Sequence, residues 1–138
     1  MADSQKLRFV EEDDVETQVF AWGRLRWLSE PRVTEAQRFS TGIVSLSPGK
    51  GLERHNHPGV EEILYVVSGR GRQMVEIDGK PLERDIAAGT LVHIPPDVYH
   101  STVNTGKSPM RLVAVYSPPG PEAELRAMPG VRIEPPKR

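Results

Sequence analysis

The chain contains no cysteine. Disulfides, thiolate nucleophiles, iron–sulfur clusters and cysteine-based zinc sites are therefore excluded, and any metal or acid–base chemistry falls to imidazole and carboxylate. Long apolar runs are missing as well. No stretch approaches the length needed to span a bilayer, and the opening MADSQKLRFVEEDD lacks the apolar segment of a secretory leader. The expectation is a soluble, cytoplasmic protein. An excess of charge of one sign is also lacking, since 18 Lys and Arg face 19 Asp and Glu for a net −1. That balance gives no electrostatic reason to expect nucleic acid or an anionic membrane surface as a partner.

Glycine (12) and proline (13), by contrast, are plentiful for 138 residues, a composition that favours many short strands joined by turns. The length suits one domain with a single core. Residues 1–14 read as a polar, mobile or loosely docked arm ending in the acidic cluster Glu11 to Asp14, residues 15–128 as the domain, and 129–138 as a tail whose end, Pro135-Pro136-Lys137-Arg138, is frayed. Two short strands bend around Gly23 between Glu16 and Leu28. Further strands are expected over Thr41 to Ser47, Glu62 to Ser68, Gly71 to Ile77, Thr90 to Ile94, Ser101 to Asn104 and Met110 to Tyr116. Asp78-Gly79 reads as a turn, and Glu122 to Met128 as one short helix with Pro121 at its first turn. The series predicts an all-β sandwich or closed barrel with a short C-terminal helix.

Three of the four histidines stand in two blocks. The first runs Gly49, five residues, His55, Asn56, His57, four residues, Glu62, six residues, Gly69; the second runs Gly89, five residues, Pro95, Pro96, Asp97, two residues, His100, three residues, Asn104. In a strand, alternate side chains share a face, so His55 and His57 point the same way and Asn56 points away. Five positions separate His57 from Glu62, the wrong parity for one unbroken strand, and Pro58-Gly59 supplies the bend that resets the register. His100 follows the turn at Pro95-Pro96 and arrives from another strand. Three imidazoles and one carboxylate suit a first-row ion such as Fe(II), Mn(II), Ni(II), Co(II), Cu(II) or Zn(II), and not the all-oxygen shells of calcium or magnesium. His93 matches no position of either block and reads as a surface or core residue.

The two blocks resemble the paired signature motifs of the cupin superfamily, with the core of the resemblance over residues 40–117. Every position of the first motif matches. The second departs only at Asp97, where the family usually has glycine at a turn position needing positive φ, which Asp tolerates better than most residues. The resemblance implies a double-stranded β-helix, or jelly-roll barrel, with one divalent transition-metal ion held by His55, His57, Glu62 and His100. It implies Asn104 as a supporting residue and not a ligand. Small cupins commonly pair through a sheet face, so a homodimer is expected, with Phe20, Trp22, Trp27 and Tyr65 outside the metal cavity.

Strand parity extends the site. If Glu62 faces inward, so do Leu64 and Val66; on the next strand Gly71, Gln73, Val75 and Ile77 oppose the charged Arg70, Arg72 and Glu76 and form the inner set. Gln73 is then an amide in an apolar wall, which needs either a ligand or an internal hydrogen-bond partner. Thr102 shares parity with His100. Gln73, Leu64, Val66 and Thr102 are the candidate pocket residues. Four protein ligands leave open positions on an ion that prefers five or six, which points to an enzyme acting on a small oxygen-bearing metabolite, with dioxygenase chemistry placed ahead of isomerase or lyase chemistry. The rival expectation is a non-catalytic cupin that binds a ligand or metal for sensing or storage. No nucleophile or cofactor loop selects among reactions, and Tyr65, Tyr99 and Tyr116 read as structural.

Overall fold

The chain is described over residues 8–138 by a computed structural model. Its elements run β1 (Thr17–Phe20), β2 (Gly23–Ser29), α1 (Pro31–Thr34), β3 (Ser40–Leu46), β4 (Gly51–His55), β5 (Glu61–Ser68), β6 (Arg70–Ile77), β7 (Lys80–Ala87), β8 (Leu91–Ile94), β9 (His100–Asn104), β10 (Met110–Ser117), α2 (Pro121–Arg126) and β11 (Arg132–Glu134). The strands form two antiparallel sheets, β11-β1-β2-β3-β10-β5-β8 and β4-β9-β6-β7, which enclose one core. The all-β jelly-roll barrel with a short C-terminal helix is thus the fold of this chain. Among the described residues, no helix is long and apolar enough to cross a membrane.

Period-two burial makes the core. Along β3 every second residue is buried, and along β10 Met110, Leu112, Ala114 and Tyr116 all face inward. Leu64 and Val66 of β5 meet them, while Tyr65 and Val67 are exposed. Each fully buried aliphatic side chain of this kind contributes about 1.5–3 kcal/mol. Trp27 lies inside this core, not in an outer contact: its ring packs 5.5 Å from that of Tyr116, and its indole N–H donates to Gln18 Oε1 at 3.0 Å. The inner set on β6 is buried at Gly71, Gln73 and Val75, but Ile77 is exposed where the strand runs out into its turn.

Some elements depart from the sequence expectation. The charged run Lys80 to Ala87 forms β7, an edge strand paired only with β6. An edge tolerates both its charges and Pro81, and of its residues only Ile86 is buried. Asp78 and Gly79 both take positive φ, 52° and 74°, as the tight hairpin between β6 and β7 demands. The end of the tail, Pro135 to Arg138, is not frayed. Residues Arg132–Glu134 pair with β1, the Lys137 N–H donates to Asp13 O at 3.0 Å, and Arg138 pairs with Glu11 and Asp14. The arm expected over 1–14 lies outside the described residues for 1–7. Its remainder is docked: Glu12 to Asp14 form a 3-10 turn, and the Glu12 carboxylate accepts from Arg26 and Arg111. An acidic cluster looks solvated in sequence because its basic partners lie on distant strands.

Candidate metal centre

Three strands and one turn deliver the polar cluster. His55 closes β4 and sits directly opposite His100, the first residue of β9. The approach of these strands is tight: a Cβ at Gly51 would lie 2.0 Å from the Thr102 carbonyl oxygen, so only glycine lets β4 settle on β9. Beyond His57 the chain reverses through a turn closed by Val60 N–H to His57 O at 3.1 Å, with Pro58 and Gly59 at its centre and Gly59 at φ 73°. The turn resets the parity, and Glu62 of β5 enters the barrel with 3% exposure. Asp97 takes the positive φ expected of it, 71°. Its carboxylate accepts the Gly59 N–H at 2.8 Å, and its carbonyl accepts from Asn56 Nδ2 at 3.0 Å. The turn before His100 is thereby tied to the turn after His57.

His55, His57 and His100 offer ligand atoms that all lie within 4.8 Å of one another. Glu62 joins them, with Oε1 3.1 Å from His100 Nε2 and 3.7 Å from His57 Nε2. Two of the rings are oriented by the backbone: His55 Nδ1 donates to Glu53 O at 2.5 Å and His100 Nδ1 to Val98 O at 3.0 Å. A carbonyl can only accept, so in both rings the proton sits on Nδ1 and the Nε2 lone pair is free for the centre.

Three of these atoms, His57 Nε2, His100 Nε2 and Glu62 Oε1, are buried without a directed hydrogen bond. Each buried polar atom left unpaired costs about 1–3 kcal/mol. A cation held by His55, His57, His100 and Glu62 would use the same lone pairs as ligands, and the donor set of imidazoles and a carboxylate fits a first-row divalent ion. Electrostatics agree with the geometry. Burial pushes His57 down to about 4 and also lowers His55, so both are neutral near pH 7 and need lose no proton to bind a metal. His100 goes the other way: burial pulls it down, but the adjacent Glu62 carboxylate outweighs burial and holds it up.

His55 and His57 stand in the wall of a cavity of about 690 Å³, a size typical of small-molecule sites. Its apolar walls come from Trp22 and Leu25, from Leu52, and from Leu125 and Met128; Tyr116 lines it beside His57. The four candidate pocket residues do not line this cavity. Leu64 and Val66 belong to the core, and Gln73 and Thr102 face each other across the β6–β9 pair. There Thr102 Oγ1 donates to Gln73 Oε1 at 2.5 Å and Gln73 Nε2 donates to Met74 O at 3.2 Å, which satisfies the buried amide without a ligand. His93 is exposed and pairs with Glu61. Asn104 is fully buried and holds its turn through Leu46 O, Ser108 O and the Gly106 N–H.

Two residues that line the cavity were read differently from the sequence, Tyr116 as structural and Trp22 as outside. Tyr116 packs 5.3 Å from the His57 ring; burial foremost, and then the charge of the Glu62 carboxylate, push its phenol well above the ordinary value and keep it protonated. Its shared parity with Leu112 and Ala114 was the available signal. Trp22 was expected outside the cavity and instead forms part of its wall. It sits in the bend between β1 and β2, where parity gives no direction.

The family pattern of the cupin domain matches residues 42–116, more than half of the chain, and the chain belongs to that family. It is 32% identical to Protein SchB of Streptomyces halstedii over 121 residues, 88% of this chain and 85% of that protein. It is 32% identical over 123 residues to Polyketide synthase CurC of Streptomyces cyaneus, covering 89% of this chain and 77% of the other. Among solved structures, Lactobacillus farciminis oxalate decarboxylase in its formate complex matches 78% of this chain with a TM-score of 0.72 at 28% identity, and this chain spans 32% of that longer one.

Proposed function

We propose that this protein is a metal-dependent cupin enzyme acting on a small oxygen-bearing metabolite of the polyketide kind. His55, His57, Glu62 and His100 would hold one divalent transition ion, with Fe(II), Mn(II), Ni(II), Co(II), Cu(II) and Zn(II) all compatible with the donors. The carrying observation is the set of unpartnered buried atoms, His57 Nε2, His100 Nε2 and Glu62 Oε1, beside a largely apolar cavity that His55 and His57 line. The name of the CurC relative supports a polyketide-type substrate. A divalent ion supplies Lewis-acid polarisation of a ligand carbonyl and, if redox-active, an electron source. The chain's own part is to position and protonate. His55 and His100 are locked by their carbonyl partners, the apolar walls exclude water from the bound carbon skeleton, and Tyr116 keeps a proton on its phenol oxygen within reach of the cavity.

Relatives named as a polyketide synthase and an oxalate decarboxylase favour carbonyl polarisation over the dioxygenase chemistry expected from the ligand set. The two separate cleanly. Protein loaded with Fe(II), Mn(II) or Zn(II) is assayed on a panel of diketones and hydroxyaromatics with and without dioxygen, following oxygen uptake and product formation. Turnover without dioxygen that His57→Ala abolishes is the expected result. Oxygen uptake would move the assignment to a dioxygenase, and tight binding without turnover on any metal would overturn the enzyme in favour of a binding protein.

A homodimer fits the outer face of the large sheet, where Tyr65 (43%), Val67 (49%) and Leu91 (56%) are exposed side by side on β5 and β8. Sedimentation of the wild type against Val67→Asp tests it: a dimer that dissociates is expected, and a wild-type monomer would contradict it.

A further inference from the structure

The walls of the metal cavity differ sharply in kind. Its lining includes two imidazoles, His55 and His57, and the Tyr116 phenol. It also includes an indole, Trp22. Trp22 is stacked on Phe20 with ring centroids 4.6 Å apart and planes 7° from parallel. Both rings are only half-buried, although they pack against the core, and Trp22 also lines the cavity. A stacked aromatic pair holds its outer ring in one plane, because rotating the indole would break the stack. Leu125 and Met128, from and just beyond α2, complete this apolar side.

Helix α2 is fixed in place by polar contacts that do not touch the cavity. Arg126 bridges Glu16 at 3.0 Å and Glu30 at 2.6 Å, Glu122 accepts the Gly120 N–H, and Gln18 Nε2 donates to Glu122 O at 3.3 Å. Six residues of helix would not hold a position by themselves. The anchoring therefore positions Leu125 at the mouth of the barrel.

We propose that Trp22, stacked on Phe20, forms together with Leu125 of α2 the specificity-determining wall of the cavity, selecting ligands with a flat, fused-ring carbon skeleton whose oxygen pair is directed at the histidines. The inference rests on the metal-centred reading of the same cavity and adds the shape of the ligand to it. A rigid indole plane rewards a flat, polarisable partner through stacking and apolar burial and gives a small chelator nothing to touch. Of the charged residues that line the cavity, Arg54 is engaged by Glu76 and lies 3.9 Å over the Tyr99 ring.

The test uses two probes with the same chelating diol, catechol and 2,3-dihydroxynaphthalene, titrated calorimetrically into protein with and without Zn(II). In the wild type the fused-ring diol is expected to bind about tenfold tighter than catechol, from the added ring area removed from water. Trp22→Ala and Leu125→Ala should each reduce that ratio to about threefold or less, and Trp22→Phe should restore most of it. Emission from the buried Trp27 reports that the variants remain folded. Equal, Zn(II)-dependent binding of both diols that ignores Trp22 would overturn the wall and leave the metal reading intact. Binding of the naphthalenediol that Trp22→Ala abolishes but that never depends on metal would support the wall and overturn the metal reading. No binding of either diol would overturn both.

Discussion

Two polar clusters lie inside the same barrel, and their difference marks out the functional one. Gln73 and Thr102 are buried on neighbouring strands and close on each other, with every strong hydrogen-bonding need met internally. His100 and Glu62 are also buried, on a different stretch of wall, with His57 half-buried beside them, and His57 Nε2, His100 Nε2 and Glu62 Oε1 are left unpaired. Burial of polar groups is common to both, so burial alone does not identify a site. The unpaired, convergent lone pairs do, because the fold tolerates their cost only if something outside the chain offsets it.

The comparison breaks first, and hardest, at the histidines. His57→Ala or Glu62→Gln should weaken binding of an added divalent ion by at least about a hundredfold, read by calorimetry and by loss of the metal-induced rise in melting temperature; unchanged affinity would remove that residue from the ligand set. Gly51→Ala comes next. The new Cβ meets the Thr102 carbonyl, so β4 must lift from β9, with an expected cost of about 3 kcal/mol in denaturant unfolding and a displaced His55 that lowers metal affinity as well. A neutral result would mean that the strand contact is looser than it stands here.

Acid should distinguish the clusters too, since only one of them titrates. His57, held neutral by burial at about 4 against an ordinary 6.5, is protonated in the unfolded chain but not in the folded one between those values. The unfolded state then binds more protons, so stability of the metal-free protein should fall as pH drops from 6.5 to 4. His55 acts in the same direction. His100, whose value is raised, acts in the opposite direction: its contribution is full below the ordinary 6.5 and is lost as pH rises through its folded value. Melting curves of wild type and His57→Ala across this range check the balance: the variant should show a shallower acid decline, and parallel curves would contradict it.

Smaller effects come from the satisfied pair and from Asp97. Thr102→Val leaves the Gln73 carbonyl oxygen without its donor and should cost about 1–3 kcal/mol, while metal affinity stays within about threefold. A large loss of metal affinity would merge the two clusters into one site. At Asp97, replacement by alanine loses the bond to the Gly59 N–H and retains the left-handed backbone, whereas glycine loses the bond and relieves the backbone, so Ala should be less stable than Gly by about 1 kcal/mol.

Much of the centre was legible in the chain itself. His-x-His parity, the Pro58-Gly59 reset and the positive φ at Asp97 are local consequences of strand and turn geometry, and the three histidines lie together with Glu62 beside His57 and His100. The cavity was not legible to the same degree. Parity says which face a residue occupies and not how far along the barrel it lies, so Leu64 and Val66 point inward yet fall in the core instead of at the cavity. The Gln73–Thr102 partnership depends on the register of β6 against β9, a long-range fact. Leu125 and Trp22 lie outside the matched residues 42–116, in segments that carry no part of either motif. The charged β7 and the docked ends were hidden for a related reason: their partners are distant in the chain.

The central claim is that the convergent lone pairs hold one transition ion. X-ray absorption combined with elemental analysis, on protein purified without added metal and then on His57→Ala, tests it most directly. The account predicts a single first-row ion per chain in a shell of imidazole nitrogen with a carboxylate oxygen, and one imidazole fewer in the variant. A protein that carries no stoichiometric ion and takes up none from Fe(II), Mn(II) or Zn(II), or whose ion shows an oxygen-only shell unchanged by the substitution, would contradict it.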